Sequence, residues 1–251
     1  MIRVCWAARH RAAALCAGPL IALLAPLPSI AAPARPDLDA VDRQIVEQTN
    51  TFRRSEGLAP TAPDLELTAA ARAFAAFMAR TDRYGHEADG REPSQRAQSQ
   101  GYDYCLVAEN IAYEFSSAGF ATGELATSLV EGWKNSPGHR RNMLDADATD
   151  TGVATAQSPG SGRYYAVQMF GRPKSMRVRF ALTNASAQAV GYELGGQPFP
   201  LPPGLTRTHE QCRVTRLTLH LPGAPRPLVV MPVDGQRLRI ESDGGSLRLA
   251  P

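Results

Sequence analysis

Residues 151–170, TGVATAQSPGSGRYYAVQMF, decide the fold class of this chain. The runs 151–157 and 163–170 have strand character, and the second is rich in aromatic and β-branched residues. The five residues between them, Ser158-Pro159-Gly160-Ser161-Gly162, are all turn-forming types, as in the loop of a hairpin. The stretch therefore predicts a pair of antiparallel strands.

Four segments before this hairpin are predicted to be helices, and the longer ones carry apolar residues at helical spacing. They are residues 39–56, 67–78, 94–100 and 122–135. We expect Thr68 to cap the second helix, Gly85 to end it directly before His86, and Pro137 to break the fourth. Helices followed by an antiparallel pair of strands predict an α+β fold with three layers.

The pattern changes after about Lys174. Short apolar or alternating runs, separated by Pro and Gly, predict a small all-β module over residues 174–251. These runs are residues 177–182, 214–221, 228–231 and 238–240.

This C-terminal module is basic, with ten Lys or Arg against five Asp or Glu. Four arginines lie at period-two spacing on predicted strands, so one strand face is expected to be cationic: Arg177, Arg179, Arg237 and Arg239. A solvated strand face beside an apolar core explains this pattern, and so does attraction to anionic envelope polymers.

The N-terminal residues have the pattern of a secretory signal peptide. Three arginines precede the apolar residues 12–30, and Ala31 and Ala32 offer a small-residue cleavage site. Three prolines interrupt the apolar stretch, which argues against an uncleaved membrane anchor. We therefore expect residues 1–32 to be removed, no transmembrane segment to remain, and the mature protein to be periplasmic or extracellular.

The composition of the 251 residues excludes a largely disordered chain and a polytopic membrane protein, because 43% are hydrophobic and 20% are charged. A net charge of +3 gives no argument for nucleic-acid binding, and no nucleic-acid partner is expected. The oligomeric state stays open.

Cleavage would leave two cysteines, Cys105 and Cys212, in a compartment where disulfides persist. A bond between them would close a loop of roughly a hundred residues and stabilise the fold by about 4–5 kcal/mol in the chain-entropy model. It would also tie the C-terminal module to the central part of the chain. Two unpaired buried thiols are the alternative.

Three residues are candidates for chemistry. His86 lies in a polar, Gly-containing loop. His139 follows Ser136-Pro137-Gly138. We expect the proline to end one helix and the glycine to turn the backbone, so that His139 points away from both helices. Glu109 enters an apolar, strand-like run and needs a partner, since an unpaired buried charge costs several kcal/mol. An imidazole is a natural partner, although Glu109 could equally brace backbone amides.

Six motifs in one order resemble the bacterial branch of the CAP superfamily, which also includes cysteine-rich secretory proteins, antigen 5 and plant pathogenesis-related proteins. The motifs are Gly85-His86, Asp89-Gly90-Arg91-Glu92-Pro93 with Arg96-Ala97 and Gly101-Tyr102, Ala108-Glu109-Asn110-Ile111-Ala112, Trp133 with Ser136-Pro137-Gly138-His139-Arg140-Arg141-Asn142-Met143-Leu144, Gly152-Val153, and Val167-Gln168-Met169-Phe170-Gly171. The resemblance implies an α-β-α sandwich over residues 38–173, and the β module at residues 174–251 lies outside it.

The resemblance also implies a cleft, which family members build from two histidines and two acidic residues. His86, Glu109 and His139 match three of these positions. The fourth departs from the eukaryotic pattern, because Ser136 stands where those members have a glutamate, and Glu131 is expected to point to another side of its helix. His86 and His139 could hold a divalent metal such as zinc, with Glu109 as an orienting group or base.

Three hypotheses for function follow, of which the third is a pure structural-interaction protein. The first is an exported binding module for a lipid or cell-envelope component. The alternative is a metal-assisted hydrolase, such as a peptidase, that uses His86, Glu109 and His139. Ser94 and Ser136 are conceivable nucleophiles, but no nucleophile motif supports either, so catalysis is less expected than binding.

Overall fold

The hairpin predicted at residues 151–170 forms the middle of a four-stranded sheet in the computed structural model, which describes residues 35–250. Its arms are β3 (Asp150–Gln157) and β4 (Tyr164–Pro173). β2 (Tyr104–Glu114) pairs antiparallel with β4, and the two-residue β1 (Ala62–Pro63) pairs parallel with the start of β3. The sheet order is β1-β3-β4-β2. The predicted signal peptide lies outside the described residues.

Helices cover both faces of this sheet. They are α1 (Leu38–Ser55), α2 (Leu65–Thr81), α3 (Pro93–Ser99), α4 (Thr122–Asn135) and α5 (Pro137–Met143). One buried cluster joins α1, α4 and α5 to the sheet around Trp133, and a second joins α2 and α3 to the opposite face around Phe74. Because each helix buries one apolar face against the sheet, the result is the predicted three-layer α-β-α sandwich.

Two predictions about α2 were wrong. Asp64, not Thr68, caps its N-terminus, because the Asp64 carboxylate accepts a hydrogen bond from the Leu67 N–H at 2.8 Å. Asp82, not Gly85, ends the helix, in the left-handed conformation with φ 51°. A residue other than glycine is held there because hydroxyl groups of the hairpin loop and of Tyr165 donate to the Asp82 carboxylate. His86 therefore lies on a turn and not directly after the helix.

The prediction for the Ser136-Pro137-Gly138-His139 run was also partly wrong. α4 ends at Asn135 as expected, but Pro137 is the first residue of α5, and Gly138 and His139 are helical. Proline suits a first helical turn because its fixed φ is helical and its missing N–H would have no partner there. His139 is therefore presented by the first turn of α5 and not by a loop between two helices.

Gly152 allows α2 to lie directly on β3. A Cβ atom at this position would lie 2.2 Å from the backbone of Leu67 and of Thr68. Gly171 in β4 serves the ring of Tyr102 in the same way, since a Cβ there would lie 2.4 Å from the Tyr102 hydroxyl oxygen. A neighbour that approaches the strand backbone closely, the α2 backbone at Gly152 and the Tyr102 ring at Gly171, accounts for both of these motif glycines.

The C-terminal residues form two further four-stranded sheets that share one apolar core. The strands are β5 (Val178–Asn184), β6 (Val190–Leu194), β7 (Gln197–Leu201), β8 (Thr206–Gln211), β9 (Leu217–His220), β10 (Leu228–Val230), β11 (Arg237–Asp243) and β12 (Ser246–Ala250). The sheet orders are β10-β9-β6-β7 and β12-β11-β5-β8. The predicted all-β module is thus present, although four of its strands, β6, β7, β8 and β12, were not predicted.

Charge on the outer strand face is balanced more than the sequence suggested. Arg177 and Arg179 both contact Glu210, at 3.3 Å and 3.5 Å, and Arg239 contacts Glu241 at 3.0 Å. Of the two explanations for this arginine pattern, these contacts favour a solvated strand face over a surface that attracts anionic polymers.

Two neighbouring residues connect the β sheets to the helical part. Cys212 forms the predicted disulfide with Cys105 of β2, across a Cα–Cα distance of 5.1 Å. Arg213 donates to Asp145 and Asp147 in the loop after α5, at 2.6–2.9 Å. Among the helices of residues 35–250, none combines the length and the hydropathy that a membrane span requires.

Candidate functional site

Side chains from two helices and from the turn after α2 close the outer edge of β2. Trp133 Nε1 and the Tyr84 hydroxyl both donate to the Ile111 carbonyl, each at 3.1 Å, and Asn142 Nδ2 donates to the Glu109 carbonyl at 3.2 Å. These bonds satisfy backbone groups that an edge strand would otherwise leave unpaired. They also bring α4, α5 and the turn after α2 together at Glu109 and Ile111.

Asn110 positions the helix that carries His139. Its side chain is buried; Nδ2 donates to the His139 carbonyl at 3.2 Å, and Oδ1 accepts from Asn142 Nδ2 at 2.9 Å. Buried amides with both ends occupied hold their neighbours in one geometry. Glu109, Asn110, His139 and Asn142 of the sequence motifs are therefore parts of one network.

Glu109 is buried, and two side chains hold its carboxylate. Arg96 Nη2 donates to Oε1 at 3.0 Å and to Oε2 at 2.8 Å, and His86 Nδ1 lies 2.8 Å from Oε1. The structure thus gives Glu109 the imidazole neighbour that the sequence suggested. It also gives a second partner, Arg96, that sequence reasoning missed. The only signal was the position of Arg96 within one of the motifs.

Arg96 organises the loop that presents His86. Its guanidinium donates to the His86 carbonyl, to the Asp89 carboxylate and to the Arg91 carbonyl, each at 2.7 Å. It also lies over the Phe74 ring, 3.7 Å from the ring centroid. This buried cation connects the loop after α2, the short α3 and β2.

The contact with Glu109 determines the tautomer of His86. A carboxylate accepts hydrogen bonds, so Nδ1 carries the proton and Nε2 keeps its lone pair in the neutral ring. The side chain is 48% exposed. His86 therefore offers an acceptor nitrogen to a ligand.

The ring of His139 lies near that of His86, with 6.4 Å between the two ring centroids, and we call the surface between these two rings the cleft. Burial lowers the pKa of His139 below its usual value near 6.5, and repulsion from His86 lowers it further. The native state therefore disfavours protonation of His139. As the pH falls below 6.5, His139 lowers the free energy of unfolding, because the unfolded chain binds this proton more readily. Its surroundings thus favour the uncharged form of His139.

The other residues considered from the sequence lie outside this arrangement. Glu131 is exposed and contacts Lys134 at 2.6 Å. Neither Ser94 nor Ser136 shares a hydrogen bond with a cleft histidine in residues 35–250. Within those residues, no group of three or more His, Cys, Asp or Glu side chains is arranged to hold a metal ion. The described cleft therefore supplies two imidazole ligands at most, while Glu109 is engaged by Arg96 and His86.

Comparison with known proteins gives a family match in the same region. Residues 46–170 match the family model described as "Cysteine-rich secretory protein family", abbreviated CAP. The uncharacterized protein YkwD of Bacillus subtilis (strain 168) is 32% identical over 136 residues, covering 54% of this chain and 49% of YkwD. The uncharacterized membrane protein YlbC of the same strain is 30% identical over 130 residues, covering 51% of this chain and 34% of YlbC.

The chain thus spans about half of YkwD and about a third of YlbC. Among solved structures, an extracellular protein containing a SCP domain from Bacillus anthracis str. Ames is 25% identical, with a TM-score of 0.46. The matched part covers 54% of this chain and 41% of that protein.

Proposed function

Because residues 46–170 make this chain a member of the cysteine-rich secretory protein (CAP) family, we propose that it is an exported binding module for a component of the cell envelope. The cleft between His86 and His139 is the proposed binding site. The ligand would contact the imidazoles from the solvent side, while Glu109 and Arg96 hold the cleft from the buried side.

One observation carries this proposal. Both oxygens of Glu109 accept hydrogen bonds from Arg96, and one of them also contacts His86. The Glu109 side chain is also only 1% exposed, so a substrate in the cleft has little access to oxygens that Arg96 and His86 already occupy. Glu109 is therefore better suited to orient His86 than to act as a base. Because Nδ1 of His86 faces Glu109, its Nε2 is the nitrogen left to contact hydroxyl or amide groups of a ligand.

Export is supported by the Cys105–Cys212 disulfide. Such bonds persist in oxidising compartments and are rare in the cytosol. The basic and apolar pattern of residues 1–32 supports the same proposal. Fractionation of cells that express the full chain, with an N-terminal sequence of the mature protein, would distinguish periplasmic from extracellular protein.

Co-sedimentation with isolated bacterial envelopes tests the binding function. We expect the wild-type protein to sediment with envelopes and the His86→Ala/His139→Ala variant to remain in the supernatant with its fold intact. His220→Ala is the matched control, because His220 is exposed in β9 and contacts Glu193 away from the cleft. Wild-type protein that stays soluble, or a double variant that sediments equally well, would contradict the proposal.

A metal-assisted hydrolase is the second candidate, since the imidazole rings of His86 and His139 lie near each other, with 6.4 Å between their centroids. Two protein ligands are fewer than the three of a typical catalytic zinc site, so these residues fit zinc only in part. Calorimetry with Zn²⁺ on the wild-type and double-variant proteins tests this candidate. Tight stoichiometric binding that the variant loses would favour the hydrolase, whereas weak or unchanged binding would leave the cleft as a site for an organic ligand.

A further inference from the structure

Three aromatic side chains lie exposed beside the end of β2. Tyr84, Tyr113 and Phe115 are 47%, 44% and 58% exposed, respectively, and we call these three residues the aromatic strip. Tyr84 and Tyr113 meet edge to face, with 5.1 Å between ring centroids. The ring of Phe115 lies against Gly162 of the hairpin loop, where a Cβ atom would be 3.4 Å away. Exposed aromatic residues gathered in one place commonly mark a binding surface.

The aromatic strip continues the cleft. Tyr84 precedes His86 by two residues, and its hydroxyl donates to the carbonyl of Ile111, which follows Glu109 by two residues in β2. At about 3.3 Å per strand residue, the distance along the chain from Glu109 to Phe115 is roughly 20 Å. The cleft and the strip together therefore suit an elongated ligand.

The surroundings of the strip disfavour a peptide. A peptide that extended the sheet would need the free backbone groups of the β2 edge. The Glu109 and Ile111 carbonyls on that edge already accept hydrogen bonds from Asn142, Trp133 and Tyr84. Strand addition is therefore blocked next to the cleft.

The surroundings also disfavour an acyl chain, which needs a continuous apolar trough. The guanidinium of Arg163 lies 4.9 Å from the centroid of the Tyr113 ring, and the carboxylate of Asp82 is surrounded by the hydroxyls of Ser158, Ser161 and Tyr165. Charged and hydroxyl groups thus lie beside the aromatic rings on this surface. Such a mixed surface suits a ligand that is itself apolar on its faces and polar at its rim.

We propose that the aromatic strip and the His86–His139 cleft form one elongated site for a polysaccharide of the cell envelope. Sugar rings have apolar C–H faces that stack on aromatic rings and hydroxyl rims that donate hydrogen bonds. The rings of Tyr113 and Phe115 would stack on successive sugars, and the imidazoles would accept hydrogen bonds from hydroxyl or acetamido groups. This inference rests on the proposed function and names the class of ligand for the same site.

Two probes test it: a soluble β-1,4-linked N-acetylglucosamine hexamer, followed by calorimetry, and purified peptidoglycan sacculi freed of protein and lipid, followed by co-sedimentation. We expect Tyr113→Ala and Phe115→Ala each to weaken binding by about 3- to 10-fold, the equivalent of one aromatic contact. Tyr113→Phe and Phe115→Trp keep a ring and should restore binding. Met231→Ala, which removes a 55% exposed apolar side chain in the β module, should have no effect.

Binding to neither glycan, or equal binding by the alanine and aromatic variants, would overturn the inference. Binding to sacculi alone supports it if that binding depends on the rings. The proposed function is judged separately by sedimentation with whole envelopes. If the protein binds envelopes or lipid vesicles but neither glycan, the polysaccharide proposal is refuted and the proposed binding function is retained.

Discussion

Arg96 Nη2 lies 3.0 Å from one carboxylate oxygen of Glu109 and 2.8 Å from the other, and both side chains are buried. Arg96→Ala would leave the Glu109 carboxylate without its cationic partner in the protein interior. We expect a loss of about 3–5 kcal/mol in the free energy of unfolding, measured by urea denaturation.

Arg140→Ala is the control for this change. Arg140 pairs with Glu56 at 2.8 Å, but both side chains are about 41% exposed. Solvent screening limits such a pair, so the expected loss is at most about 1 kcal/mol. Equal losses in the two variants would show that burial does not make the Arg96–Glu109 pair important for stability.

Gly152→Ala should strongly destabilise the fold. The new methyl group would lie 2.2 Å from the backbone of α2, which cannot move aside without separating from β3. We expect a loss of at least about 3 kcal/mol in the free energy of unfolding, above the usual range for overpacking because backbone and not a side chain is displaced. Thermal unfolding followed by circular dichroism measures the change.

Gly132→Ala should instead stabilise the fold. Gly132 lies inside α4, and a Cβ atom there would meet nothing within 4 Å. Alanine stabilises a helix interior by about 0.5–1 kcal/mol relative to glycine, so the melting temperature should rise. A Gly152→Ala variant as stable as Gly132→Ala would contradict the packing of α2 on β3.

Asp42→Asn should stabilise the protein at neutral pH. Burial raises the pKa of Asp42 from 3.8 to about 6, and its neighbour Thr155 offsets this only in part. The native state therefore binds a proton more tightly than the unfolded state does. The resulting penalty is absent below pH 3.8, develops between pH 3.8 and about 6, and is complete above that.

The substitution should therefore add about 1–2 kcal/mol to the free energy of unfolding at pH 8 and nothing at pH 3.5. Urea denaturation across this pH range measures the difference. Glu47→Gln, on the exposed side of the same helix, should change stability by less than about 0.5 kcal/mol at either pH. A gain that does not depend on pH would show that Asp42 titrates normally.

Removal of the disulfide should weaken the whole fold. Cys105 and Cys212 are separated by 107 residues, so the bond restricts a long loop in the unfolded chain. Cys105→Ser/Cys212→Ser should lose about 2–5 kcal/mol in the free energy of unfolding. Dithiothreitol should produce the same loss in the wild-type protein and none in the variant. Two free thiols in untreated wild-type protein that lacks residues 1–32, and with them Cys5 and Cys16, would disprove the bond.

Local patterns predicted much of the fold. The fourth helix was expected at residues 122–135 and occupies Thr122–Asn135, because apolar spacing and the following proline are both local signals. β7 (Gln197–Leu201) was not predicted because Pro198 and Pro200, a residue type uncommon inside strands, interrupt the alternation of apolar and polar residues. The end of α2 was misplaced because the hydrogen bonds that hold Asp82 in a left-handed conformation come from residues 158–165, far along the chain.

The sequence by itself determined the order of helices and strands, the hairpin, the all-β character of the C-terminal part and the resemblance that selected His86, Glu109 and His139. These features depend on periodicity, turn residues and motif spacing, which can be recognised from the order of residues alone. Only the tertiary structure decided that Cys105 pairs with Cys212, that Arg96 holds Glu109, and that Asn110 positions His139. Such contacts depend on which side chains of distant segments are buried together, because burial requires each charge and amide to find a partner.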